Sequence, residues 1–529
     1  MLLCLAAHRS VAQSTTSLLP DADLLPMRTF RFRGLTAWTR YDQLLGTGGT
    51  VPRNIASTLA TDSLGSPQVP SFGPIEAQIR TTAALPNFRL TAGTVAALAD
   101  SRVVTAPLIV EYGLTSRITL GLVVPLVETR TTLYSQLNPK LTAANVGPNP
   151  ALLAASSAVN QNAVLVQSFR AAGASLQTRL TQCQATPSDP TCTSILAQQS
   201  SVQSLIQSSG TFASALETLY GTDRSAHAGL AYVPLDLSPA QAAINTQIQA
   251  FAAQYKSFLG ADVITGKVVP AAGPGAQFDF QNLLKAAGYD SLTSTDHSSI
   301  GDISLGMSVE LVNTYGDTTA AAANRTRFRL AANGTFRIGT GQLGNPNRLF
   351  DLSTGYGQSG VVGSVATDIQ FRRRVSATAT ASYTAQLGTV DVARVPGTSN
   401  AIYPLTVAVP GTYSAGNVLA VSVVPRYRLA GYFAVTGQYS MVHSDADRYT
   451  IAATPAGVII PPAPFGVASW TAQQVGVGFT YSSIVGPSRG PGGIPFETTY
   501  SHLETITGSG GPLNKTFRDQ IELRVYWNR

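Results

Sequence analysis

Apolar and polar residues alternate with a period of two over about 28–134 and 300–529, while the intervening stretch, about 137–299, carries helical spacing. The clearest alternation runs from Val375 to Leu387. Val375, Ala377, Ala379, Ala381, Tyr383, Ala385 and Leu387 interleave with Ser376, Thr378, Thr380, Ser382, Thr384 and Gln386. Neighbouring side chains on a strand point to opposite faces, so this segment predicts a strand with one apolar and one hydroxyl-rich face. Phe328, Leu330, Ala332, Gly334, Phe336 and Ile338 likewise oppose Arg327, Arg329, Asn333, Thr335 and Arg337. At the C-terminus, Phe517, Ile521, Leu523, Val525 and Trp527 oppose Arg518, Gln520, Glu522, Arg524 and Tyr526. Val104–Tyr112, Ile303–Leu311, Val365–Phe371, Leu419–Tyr427, Phe433–Met441 and Val475–Tyr481 follow the same rule.

A soluble sandwich alternates too, but three features favour a membrane barrel. The strands commonly exceed the five or six residues that are usual in soluble sheets. Aromatics on the apolar parity (Tyr112, Tyr383, Tyr427, Phe433, Tyr439, Tyr481, Trp527) fall near strand ends, as interfacial girdles require. Connections alternate between tight (Leu114–Arg117, Arg372–Arg374, Leu429–Gly431, Gly486–Gly493) and long, as between the two sides of an outer membrane. The expected fold is mainly β: an antiparallel transmembrane β-barrel of about 12 strands with an α-helical insertion. Fourteen strands result if Ile75–Ala84 and Phe88–Ala97 form another hairpin. Residues 14–136 would supply the N-terminal strands and first loop, 137–299 the insertion, and 300–529 the C-terminal strands.

Within the insertion, Ser238-Pro239 with Gln241 reads as a helix start, followed by Ile244, Ile248, Phe251, Tyr255 and Phe258 at helical spacing. Leu165 to Leu180 and Val202 to Leu219 carry similar stripes, and Phe280–Ala287 suggests a shorter helix. The strand count places the insertion outside the cell; a plug folded into the lumen is the rival arrangement.

Composition sharpens this picture. Only 12% of residues are charged, while the hydrophobic share is an ordinary 44%. No stretch approaches the roughly 20 apolar residues that a spanning helix needs. The net charge of +7 is scattered, and no basic cluster carries interleaved aromatics, which argues against nucleic-acid partners. Residues 1–13 read as the remnant of a cleavable signal peptide that exports the chain across the inner membrane, and the barrel pattern places it in the outer membrane. Its partners there are outer-membrane lipid and the barrel-assembly machinery. In an exported chain, Cys183 and Cys192 are expected to form a disulfide.

The segment Ala106–Val127, APLIVEYGLTSRITLGLVVPLV, resembles bacterial outer-membrane proteins associated with the meta-pathway of phenol degradation, and Ile300–Gly306 resembles their Gly-Asp strand start. The resemblance covers a small part of the chain. It implies a transporter-like barrel for small aromatic or hydrophobic compounds, and the long helical insertion departs from that family's compact loops.

Little in the sequence points to catalysis, and no cofactor or metal site is expected. His227, His297, His443 and His502 lack metal-ligand spacing. His443-Ser444 and Ser501-His502 are strand neighbours on opposite faces, which separates a nucleophile from its base. Gly339–Gly344 matches a dinucleotide loop formally, but Asn345-Pro346 stands where a helix must start, so a flexible loop is expected. The polar parity carries the main functional expectation. Arg31, Arg33, Arg327, Arg329, Arg337, Arg426, Arg428, Arg518 and Arg524, with Glu522, would line the lumen and set its selectivity, unless Arg and Glu pair across strands and fill a closed barrel. The expected function is passive passage of small solutes, anionic or aromatic. The alternative is a surface structural or adhesion protein, with the barrel as anchor and the insertion as its binding part.

Overall fold

The computed structural model describes residues 22–45, 52–57, 59–67, 69, 72–137, 144–153, 156–272, 290, 293–315, 326–345, 347–348, 350–396, 406–451, 468–484, 494–511 and 513–528. The signal segment, Phe280–Ala287 and the Gly486–Gly493 turn lie outside these residues.

Twelve antiparallel strands close on themselves. They are β1 (Thr29–Leu45), β2 (Val95–Thr115), β3 (Ile118–Leu137), β4 (Ile303–Asn313), β5 (Arg327–Ile338) and β6 (Gly360–Arg372). The second half comprises β7 (Val375–Gln386), β8 (Val418–Ala430), β9 (Phe433–Ser444), β10 (Trp470–Ser482), β11 (Phe496–Gly510) and β12 (Leu513–Asn528). Each pairs with its neighbours, and β12 returns to β1 from Thr29↔Asn528 to Leu45↔Leu513. Closure leaves no barrel edge unpaired, the condition for crossing a bilayer with strands. Two short strands extend this sheet: Arg53–Asn54 on β1, and Thr295–Ile300, which prolongs β4 along β3 beyond an interruption at Gly301-Asp302.

The outward parity is apolar. Phe32, Leu108, Leu122, Phe336, Phe479 and Leu523 are all more than a third exposed, an arrangement that suits lipid. Aromatic contacts gather at the mouth ringed by tight turns: Phe30 lies 4.7 Å from Tyr112, and Tyr432 lies 5.8 Å from Tyr481. On β1–β3 the apolar band gives way to an exposed outward row, Arg40↔Arg102↔Arg130.

The Ile75–Ala84 hairpin does not form. Residues Phe72–Ala83 are helix α1, so the count stops at twelve. Ile75, Ile79, Thr82 and Ala83 lie on one buried helical face, and Ala84 leaves the helix in the left-handed region (φ 52°). A short apolar segment satisfies either period, and here the helix is chosen by what it packs against.

That partner is the insertion, with helices α2 (Ser156–Ala185), α3 (Thr193–Ala197), α4 (Gln199–Tyr220) and α5 (Pro239–Leu259). Ser238 Oγ accepts from the Gln241 N–H at 3.3 Å, and Pro239 opens the first turn of α5. Cys183 and Cys192 form a disulfide that closes the turn between α2 and α3. The apolar stripes of α1, α2, α4 and α5 share one core with Tyr41, Val95, Ala99, Val103 and Val127 on the inner wall of β1–β3. Strands β2 and β3 have 21 and 20 residues, against about 10 for a strand crossing a bilayer, and their extra length carries this wall. The helices are thus seated on the inner wall at the mouth with long connections.

Glu76 fastens α1 in place. Its carboxylate accepts from the Leu90 N–H at 2.9 Å and Ser66 Oγ at 3.1 Å, and meets Arg80 and Arg89. Burial works against its charge, yet these donors more than offset that and hold the carboxyl below its ordinary value. The sign follows from linkage: a depressed folded value contributes stability above the unfolded value of about 4.5, which is lost as pH falls through the folded one. Acidification below about 4.5 is expected to loosen α1 before the barrel, and Glu76→Gln should flatten that dependence. Hydrogen exchange of α1 amides against pH measures it; an unchanged profile in Glu76→Gln would refute the assignment.

Candidate functional site

The inward parity encloses the lumen, and its charges fall into distinct groups rather than one ring. On β1, β2 and β12, Arg31, Arg33, Glu111 and Glu522 are each no more than 5% exposed. Arg31 pairs with Glu111, Arg33 reaches Glu111 at 3.4 Å and Glu522 at 2.7 Å, and Arg524 binds Glu522 at 2.9 Å. Tyr526 faces Arg31 at 6.0 Å and donates to Glu497 at 3.0 Å. This network is neutralised and spans the seam where first and last strands meet.

On β5–β8 the balance differs. Arg329 pairs with Asp23 and lies 4.2 Å from the Tyr315 ring. Arg327, Arg426 and Arg428 stand at the mouth with tight turns, Arg327 and Arg426 in one row through Gln370 and Ser376. Among the described residues, no acidic side chain pairs with Arg372, Arg426 or Arg428. Higher on β12, Arg518 has a buried Nε without a hydrogen-bond partner among the described residues. A buried guanidinium N–H without an acceptor is costly, so this atom marks a place where an anionic or carbonyl group would be welcome.

Arg337 belongs to neither wall group. It lies near the opposite mouth, 3.7 Å from Asp302, 4.1 Å from the Tyr356 ring and hydrogen-bonded to Gln386. Asp302 is 2% exposed and accepts from Gly341 N–H at 2.9 Å and Tyr356 N–H at 2.7 Å. A Cβ on Gly341 or Gly355 would lie within 2.8 Å of the Asp302 carboxylate, so both positions require glycine. The expected flexible loop at Gly339–Gly344 is therefore held inward. Leu352 joins the core at the inner wall, its carbonyl meets Thr129 Oγ1 at 3.4 Å, and Asp351 meets His297 at 2.5 Å. Sequence reasoning saw Asp302 only as part of a strand start; a carboxylate beside an interrupted strand and a Gly-rich loop was the signal available.

A short N-terminal segment narrows the lumen from the other end. Ala22 packs against inward Ala331 and Ala366, and the Leu25 N–H donates to Thr119 Oγ1 at 3.1 Å. Leu25 is 2% exposed, and Pro26 presses its carbonyl against Gly113, where a Cβ would come within 2.1 Å. On the barrel wall, His443 meets Thr471 at 2.8 Å, and outward-facing His502 meets Asp519 at 2.9 Å. Among the described residues, no group of three or more His, Cys, Asp or Glu side chains could hold a metal ion.

No family model and no curated protein matches the chain. Among solved structures, it is similar to the COG4313 outer membrane channel from Pseudomonas putida F1, at a TM-score of 0.40 and 8% identity over 96% of this chain and 98% of that one. The Pseudomonas putida toluene transporter TodX gives 0.24 at 12% identity, over 98% and 95%. A Pseudomonas aeruginosa FadL homologue gives 0.26 at 10% identity, over 99% and 98%. These likenesses are distant, and the barrel stands on its own strand register.

Proposed function

We propose that the chain is an outer-membrane channel for passive passage of small solutes, with a preference for those carrying negative charge. The observation that supports this best is the division of the lumen's arginines. One group is neutralised at the seam, while Arg372, Arg426, Arg428 and Arg518 present positive charge with no acidic partner among the described residues. Fixed cations in a confined path attract anions and repel cations. In this reading the tight turns face the periplasm, and the helices and inward loop face outside the cell. The surface-adhesion alternative has less support, because the apolar stripes of the insertion are spent on its own cores and the barrel wall.

Single-channel conductance of the folded protein in planar bilayers, under a salt gradient, tests the proposal. Small anion-preferring steps are expected, with the preference reduced in Arg426→Glu. Swelling of liposomes in benzoate, benzyl alcohol and benzylammonium then separates charge from the aromatic character that the Ala106–Val127 resemblance implies. Folded protein that passes neither current nor any of the three solutes would overturn the reading.

A further inference from the structure

At the mouth with tight turns, five arginines (Arg327, Arg372, Arg373, Arg374 and Arg428) surround a cavity of about 490 Å³, completed by Gln370 and the β8–β9 turn. Among the described residues, no acidic side chain lines it. The two turns are tied together by the Arg428 N–H, which donates to the Arg374 carbonyl at 2.8 Å. Asp368 lies further along β6, opposite Arg329 in register, and accepts from Thr378 Oγ1 at 2.6 Å. Asp23 is engaged by Arg329. Cations gathered this closely repel one another, a cost that a bound anion would offset. Their planar guanidinium forks match the geometry of phosphate and carboxylate oxygens, which can accept two parallel hydrogen bonds from each.

We infer that this basin is a binding site for an oxyanion group, phosphate or carboxylate. The group has two possible sources of one chemistry: an anionic solute at the lumen's end, or the headgroup of a lipid in the adjoining leaflet. The site requires the barrel but not conduction, so a chain that binds an oxyanion and passes no current would keep the basin and lose the channel reading.

Calorimetric titration of the full chain in micelles with inorganic pyrophosphate, at constant ionic strength set with chloride, tests the first source. Saturable binding is expected, weakened about tenfold or more in Arg372→Gln/Arg428→Gln by loss of charge-assisted hydrogen bonds. Arg373→Gln/Arg374→Gln provides a second variant on the same basin should the first fail to fold. Arg102→Gln/Arg130→Gln, a charge-matched change on the outer surface, should bind as the parent does. Retention of short-chain phosphatidylglycerol over phosphatidylcholine, followed by native mass spectrometry, tests the second source. Basin-dependent binding of pyrophosphate assigns a solute, and basin-dependent retention of phosphatidylglycerol alone assigns a lipid. Binding equal in basin and outer-surface variants, or no binding of either probe, overturns the inference.

Discussion

Glu111→Gln is expected to lower barrel stability by about 3–5 kcal/mol, the usual cost of removing one partner from a buried charge pair. Glu111 is fully buried and is the acid that Arg31 and Arg33 share. Glutamine keeps the shape and one acceptor but removes the charge that two guanidinium groups share, each no more than 3% exposed, while Glu522 still reaches Arg33. The loss should appear as a lower urea midpoint for unfolding in micelles, with a lowered temperature for the shift in electrophoretic migration. Arg31→Met/Glu111→Met should recover much of it, because removing both charges also removes the desolvation penalty. An unchanged midpoint in Glu111→Gln would mean that the network is hydrated and carries little.

Asp302→Ala should act locally but strongly. It leaves two backbone N–H groups without their acceptor and Arg337 without its nearby carboxylate. Each orphaned N–H costs about 1–3 kcal/mol when buried, and an uncompensated guanidinium costs more, so release of residues 341–356 is cheaper than keeping them inward. The expected results are faster tryptic cleavage after Arg348 and larger conductance steps, while the barrel keeps its unfolding midpoint. Cleavage and conductance both unchanged would show that Leu352 and the Asp351–His297 contact hold the loop unaided.

Much of this architecture is legible in the sequence because its period is imposed by two solvents. Val375–Gln386 alternates along its length, since each residue must face either lipid or lumen, and no tertiary knowledge is needed to assign it. The start of α5 is legible for a different reason: Ser238, Pro239 and Gln241 satisfy orphan donors locally. Ile75–Ala84 is not, because Ile75 and Ile79 suit a strand until the wall of β2 exists to receive a helical face. The candidate site shows the same division. Parity assigns Arg31 and Arg426 to one face, but only the cross-strand register gives the first Glu111 and leaves the second opposite Ser376. Asp23 and Leu25 belonged to no pattern at all, as their segment takes its place from Arg329 and Thr119 across the lumen.

The Arg33–Glu522 pair has a consequence for the order of assembly. Its members lie 489 residues apart, so the pair cannot form until the last strand meets the first. Contacts of such separation come late, since loop closure must precede any return from them. Up to that moment Arg33 lacks Glu522 and shares Glu111 with Arg31, so the seam holds incompletely matched charge, which favours water over lipid while the ends are apart. When the ends join, the same charges cancel. The seam thereby acts as a latch that registers completion.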